Sequence, residues 1–266
     1  MKTRATKSLC PGTQFCHVPQ SNNTGRGIVL SSAADGIGGG GWLGRGPAAL
    51  ALSAVLLGVG CQARDLQAFY PLDAGRAWQY RVSVVNADGA VNETAVVSNF
   101  PEEDVLGRRG VPQRSQAFGK TVVRFVAATD AGVMQFAQQA GDTAPVVNDP
   151  PEYILKTPIV PGTNWPSVWT GARLDGAISL PTVKTIAGTR ETVMVPAGTF
   201  AECVRVKVAG KAEVTLPAGR ATIEVSGDEW YARDVGLIKG AFRETVNQGE
   251  GTLELAMNLE SFRQSR

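Results

Sequence analysis

Apolar and polar positions alternate with a period of two through most of the chain beyond residue 69. Trp78, Tyr80, Val82 and Val84 fall on one face of a stretch whose other face carries Gln79, Arg81 and Ser83. That is the pattern of a strand with one buried side. Asn86-Ala-Asp-Gly89 is a turn signal, and Ala95-Val-Val97 supplies the returning strand. Glu102-Glu-Asp104 followed by Gly107-Arg-Arg-Gly110 predicts a polar loop. Lys120 to Ala128 predicts a second strong strand, turned by Asp130-Ala-Gly132 into Val133-Met-Gln-Phe136. Residues 141–151 carry Gly141, Pro145, Asp149, Pro150 and Pro151, too much punctuation for regular structure.

The last third predicts strand after strand. Val193 to Phe200 turns at Pro196-Ala-Gly198 into Ala201 to Val208. Lys211 to Leu216 alternates and turns at Pro217-Ala-Gly219 into Ala221 to Val225. At the end, Leu253, Leu255, Met257 and Leu259 oppose Glu254, Asn258 and Glu260. Strands at this spacing, with Gly and Pro between them, predict a mainly β domain over 70–266. The form is a single antiparallel curved sheet, a half-barrel or a sandwich. Pro71, Gly75 and Trp78 share their spacing with Pro158, Gly162 and Trp165. Two copies of P-x-x-x-G-x-x-W, each a turn feeding a buried aromatic, raise an internal duplication.

The apolar run Pro47 to Gly60 breaks this pattern, with Arg45 ahead of it and Cys61 closing it. A short apolar core behind a basic residue, ending on small residues, is the layout of a secretory signal peptide. Ending on Gly58-Val-Gly-Cys61, it resembles the signal sequence of a bacterial lipoprotein, in which the cysteine is lipidated and becomes the first mature residue. Gly58 stands where such signals usually carry Leu. Cleavage after Ala63 as a plain secretory signal is an alternative. The run falls short of the roughly 20 apolar residues a membrane-crossing helix needs, and it lacks the polar face of a buried helix. The expected organisation is a disordered leader at 1–42, a signal peptide at 43–60, a tether at 61–69 and the β domain at 70–266.

The sixty residues before Cys61 carry Lys2, Arg4, Lys7, Arg26 and Arg45 against Asp35 alone, with a glycine run and the chain's one histidine, His17. Such a composition does not fold by itself. Translation is expected to begin inside this region, near Val29 or Leu43, and a tryptic peptide from residues 5–26 in the proteome would refute that. Gly36-Ile-Gly38-Gly-Gly-Gly41 matches G-x-G-x-x-G by letter only, since no βαβ pattern surrounds it.

Composition then excludes chemistry. From Cys61 onward 21 basic residues face 23 acidic ones, with no clustered basic face to suggest nucleic acid. Only Cys61 and Cys203 remain, so a lipidated Cys61 leaves Cys203 without a disulfide partner. With no histidine there, Ser-His-Asp and Cys-His catalysis and histidine-based zinc sites are unavailable. A Ser-Lys hydrolase lacks its S-x-x-K. A carboxylate pair could be drawn from Glu102, Glu103, Asp104, Asp228 and Glu229, all beside turns. Alternation places Cys203 on one face with Arg205 and Lys207, a setting that favours a reactive thiolate. The plainer reading makes it a half-buried strand residue. No cofactor or metal is implied.

Tyr70-Pro-Leu-Asp-Ala-Gly-Arg-Ala-Trp-Gln-Tyr80, Val195-Pro-Ala-Gly-Thr-Phe200, Cys203-Val-Arg-Val206 and Trp230-Tyr-Ala-Arg-Asp-Val-Gly-Leu-Ile-Lys239 resemble the signature segments of a group of uncharacterised bacterial envelope lipoproteins. Arg233-Asp234 departs from that pattern, which has a more turn-like pair with glycine. The resemblance implies a β-rich, periplasm-facing domain on a lipid anchor and no reaction. Gln62 after the cysteine, rather than aspartate, resembles the sorting pattern of outer-membrane lipoproteins. Two function classes follow. In one, the sheet holds a lipid or other apolar ligand, with Trp78, Tyr80, Trp165, Trp230 and Tyr231 as candidate cleft or core residues. In the other, an exposed surface docks other envelope proteins. An enzyme is a distant third. The expected partners are the membrane, through lipid on Cys61, and an apolar small molecule or an envelope protein.

Overall fold

The computed structural model describes residues 66–170, 179–216, 219–247 and 251–264. Cys61 and the apolar run before it lie outside the described residues. Alternation does what it predicts. In β1 (Ala77–Asn86), Trp78, Tyr80 and Val82 are buried while Gln79 and Arg81 are exposed. β1 turns through Asn86, whose Oδ1 accepts the Asp88 N–H at 2.9 Å, into β2 (Gly89–Asn99). β4 (Arg108–Ala117), β5 (Lys120–Thr129), β6 (Gly132–Ala140) and β7 (Val146–Lys156) continue the meander. A second meander runs β8 (Asn164–Thr170), β9 (Ser179–Val195), β10 (Gly198–Leu216), β11 (Gly219–Ala232), β12 (Gly236–Val246) and β13 (Gly251–Arg263). All pairings are antiparallel, and β1 joins β13 to make one curved sheet, a nearly closed half-barrel.

Three segments depart from the sequence expectation. The supposed polar loop at 102–110 is a hairpin: β3 (Glu103–Val105) pairs with the start of β4. Its Val105 is buried, a single inward side chain among charges. The punctuated stretch at 141–151 yields the first part of β7, in which the register slips between Gln135 and Ala137 so that residues 148–151 have no partner in β6. Pro150 and Pro151 therefore sit where no ladder N–H is needed. Residues 66–69, expected as tether, form a helical turn whose Leu66 and Phe69 are buried in the interior.

The repeated motif has a repeated structure. The Gly75 N–H donates to Asn99 O at 3.0 Å, and the Asn99 N–H returns to Arg76 O at 2.9 Å. Eighty-seven positions on, counted from Pro71 to Pro158, the Gly162 N–H donates to Ile186 O at 2.9 Å and the Ile186 N–H to Thr163 O at 2.8 Å. Both glycines have positive φ, 83° and 95°, a region a side chain rarely tolerates. Both tryptophans are buried and give their indole N–H to a backbone carbonyl, Trp78 to Val235 at 2.6 Å and Trp165 to Tyr153 at 2.9 Å. The openings of the two meanders are thus built alike. The first strand of one pairs with the last strand of the other at β1–β13.

At the corresponding junction, β7 and β8 meet only through a seam. Trp165 bonds Tyr153 O, and Glu152 Oε1 accepts from Ser167 Oγ at 2.7 Å and from the Val168 N–H at 3.4 Å. Side chains close what backbone bonds do not.

Candidate functional site

The interior is filled. Trp165 and Tyr231, each 1% exposed, pack with Leu66, Phe69, Tyr70, Leu155 and Ile186. Trp78 and Tyr80 belong to a second cluster with Val193, Val195, Cys203 and Leu259, against which Trp230 is half-buried. The five aromatics singled out from sequence therefore line no single cleft; they divide between two packed clusters. Their polar atoms are occupied as well. Tyr80 donates to Leu237 O at 2.8 Å, Trp230 to Glu191 Oε2 at 2.8 Å and Tyr231 to Glu229 Oε2 at 2.8 Å. With the two indoles already described, none of these five donors points at a vacant position. Each large side chain removed from water contributes about 1.5–3 kcal/mol, so this packing is where the fold's stability lies.

Two polar networks thread the core. Tyr70 OH donates to Gln113 Oε1 at 2.7 Å, Gln113 Nε2 to Asn99 Oδ1 at 3.0 Å, and Asn99 Nδ2 to Pro71 O at 3.1 Å. This chain fastens the N-terminal segment to β2 and β4. In the second, Lys184 Nζ lies 3.0 Å from Glu229 Oε2, with both side chains largely buried. Burial pushes the Tyr70, Tyr80 and Tyr231 phenols above their ordinary value. For Tyr231 the Glu229 carboxylate adds to the effect. The other candidate acids stand apart from this pair. Glu102, Glu103 and Asp104 are exposed at β3, with Glu102 paired to Arg109 at 3.0 Å. Asp228 lies 3.9 Å from Arg205. Among the described residues no group of His, Cys, Asp and Glu has metal-binding geometry.

Cys203 is 0% exposed. Glu202 before it takes the left-handed conformation, φ 54°, and breaks the alternation, so Cys203 and its neighbour Val204 are both buried, in different clusters. The thiol lies 3.4 Å from Phe200 O. Burial, helped by Glu191, pushes its pKa up to about 11. Arg205, expected from alternation to favour the thiolate, lies 2.9 Å from Glu191 instead.

Two surface concavities stand out among the described residues. One, of about 310 Å³, is a shallow groove across β1, β13, β12 and β11 that includes Val85, Ala241, Phe242, Leu255 and Ala256. The other, of about 560 Å³, lies where the first repeat's turn meets the ends of β2 and β13, and is lined by Arg76, Arg114 and Arg263 with Ser98 and Asn99. Sequence reasoning missed these arginines. They are far apart in the chain, and only the strand register unites them.

The described residues define an antiparallel β domain with a packed interior. A family described as DUF3108-like matches residues 183–252, from within β9 into β13. No curated protein matches the chain. Three solved structures, all provisionally described, are distantly similar. An exported protein with YmcC-like fold from Bacteroides fragilis NCTC 9343 has TM-score 0.41 and 17% identity over 74% of this chain and 99% of that one. A lipoprotein from Parabacteroides distasonis ATCC 8503 has TM-score 0.33 and 14% identity over 73% and 98%. An outer membrane lipoprotein-sorting protein domain from Vibrio parahaemolyticus has TM-score 0.26 and 10% identity over 77% and 92%. None of these carries a function across to this chain.

Proposed function

We propose that this chain is a non-enzymatic, lipid-anchored bacterial envelope protein whose β domain works through its outer surface, docking other envelope components. The observation that carries this reading is the filled interior. Trp165, Tyr231, Leu155 and Ile186 occupy the space an internal apolar ligand would need, and a carrier of enclosed ligands wants a pre-formed apolar cavity there. The run ending at Cys61 supports the anchor, and Gln62 supports the outer membrane as its destination with the domain facing the periplasm. More than one acyl chain on the cysteine makes such attachment stable.

Holding an apolar ligand on the scaffold is the second reading, favoured by the groove that includes Phe242 and Leu255. Metabolic labelling with radioactive palmitate in a Gram-negative host tests the anchor. The expected result is incorporation into the membrane-bound parent and none into Cys61→Ser. Equal label in both, or none in either, removes the anchor from the reading.

A further inference from the structure

The register assembles a row of residues that neither the turn nor the core explains. Arg114 of β4 lies opposite Ser98 of β2, Ser98 opposite Ala77 of β1, and Ala77 opposite Arg263 of β13. Directly opposed residues of antiparallel strands project from the same face. Trp78, next to Ala77, points into the interior, so the row faces outward. Its two central side chains are small and its two outer ones are arginines, leaving the 560 Å³ concavity between guanidiniums. Arg76 forms a third side. It is held by Asp73 Oδ2 at 2.8 Å and donates from Nη1 to Asp234 O at 2.7 Å.

No carboxylate lines the concavity. Arg114 lies over the Phe100 ring at 4.5 Å, and neither it nor Arg263 is paired with an acid among the described residues. In the second half the same turn closes without a cation at the Arg76 position, while Lys207 stands opposite Thr185 as Arg114 stands opposite Ser98. Thr163, Asn164, Thr185 and Ile186 stand where Arg76, Ala77, Ser98 and Asn99 stand in the first, and the same backbone bonds close that turn with no arginine among them.

We infer that this concavity binds a phosphate group. Guanidinium forks match the oxygens of phosphate in pairs, and their charge is permanent. The position suggests the source. The Asp234 N–H donates to Ala68 O at 2.6 Å, so Arg76 and the 66–69 turn meet on the same residue. Leu66 is five residues from Cys61, a span of at most about 18 Å. On the anchored reading, which this choice of source rests on, the site lies at the membrane end and takes the phosphate of a lipid headgroup. The alternative source is free phosphate.

The test uses the full chain carrying Cys61→Ser, so that the anchor does not report attachment. Sedimentation with vesicles of phosphatidylcholine, with and without phosphatidylglycerol, is paired with calorimetric titration of inorganic phosphate. Variant R114Q/R263Q removes the two outward arginines. Variant R81Q/R109Q removes equal charge elsewhere, from the ion pairs with Glu260 and Glu102. Circular dichroism confirms that each folds. The expected result is attachment to phosphatidylglycerol vesicles that weakens about thirtyfold in R114Q/R263Q, roughly fivefold per arginine at an anionic surface, and holds in R81Q/R109Q. Saturable phosphate binding lost in R114Q/R263Q, without vesicle attachment, assigns the site to soluble phosphate. Equal attachment by parent and R114Q/R263Q with no phosphate binding, or equal losses in both variants, overturns the site. Failure of the anchor shows separately, as absent palmitate, and leaves the phosphate titration decisive.

Discussion

At the scale of residues, protons and charges decide the behaviour of the core. Cys203 has its thiol pushed from an ordinary 9.0 up to about 11 by burial, and three tyrosines are raised above 10.0. The unfolded chain gives up these protons first while the folded chain keeps them, so stability falls as pH rises. From Cys203, the contribution is intact below about pH 9 and is lost towards pH 11, at about 1.4 kcal/mol per pH unit. Urea midpoints should decline across that window, and Cys203→Ala should flatten the first part of the decline. An identical decline in the variant contradicts the assignment. The same burial predicts no labelling of folded protein by a thiol reagent at neutral pH, with full labelling in urea. Lys184→Met should cost about 3 kcal/mol, because it leaves the Glu229 carboxylate buried beside Tyr231 without its cation. Adding Glu229→Gln should recover part of the loss in urea titrations; no recovery would place the cost in packing instead. Alternation named the inward residues of β1 correctly, and it misplaced Cys203 because one left-handed residue, Glu202, is invisible to a period of two.

Among the elements, what could be read from sequence depended on how regular the pairing is. β1 against β2 and the β10–β11 hairpin pair without a slip in register, and the sequence marks them plainly; β5 was marked too, although a bulge at Phe125 and Val126 buries both neighbours. β3 and β7 do not: one buries a single valine among charges, the other carries two prolines across a bulge. The P-x-x-x-G-x-x-W spacing was legible as a pair of turns. That each turn also bonds a residue at the same offset, Asn99 and Ile186, needed the register. Gly227 illustrates an element-scale constraint. A Cβ there would run into Ala241 O and the Phe242 ring, and that ring stacks on Trp169 with centroids 4.7 Å apart. Gly227→Ala should therefore destabilise by about 1–3 kcal/mol through overpacking, whereas Gly198→Ala meets no neighbouring atom and has only backbone strain to pay. Equal thermal midpoints for Gly227→Ala and the parent would contradict the packing argument.

For the whole molecule, two meanders close on each other once by backbone and once by side chains, and the interior between them is occupied by aromatics and by residues 66–69. The mainly antiparallel, curved form was predictable from strand spacing. The arginine row was not, because Arg76, Arg114 and Arg263 meet only through four paired strands. On the proposed reading, a domain whose inside is full acts with its outside, and Leu66, five residues after Cys61, is buried in that inside. Native mass spectrometry of the protein extracted gently from its own envelope tests this directly. The expected species is a chain that starts at an acylated Cys61 and carries no small apolar molecule within the fold. A chain beginning before residue 61 without lipid, or one that retains an apolar molecule through extraction, contradicts it.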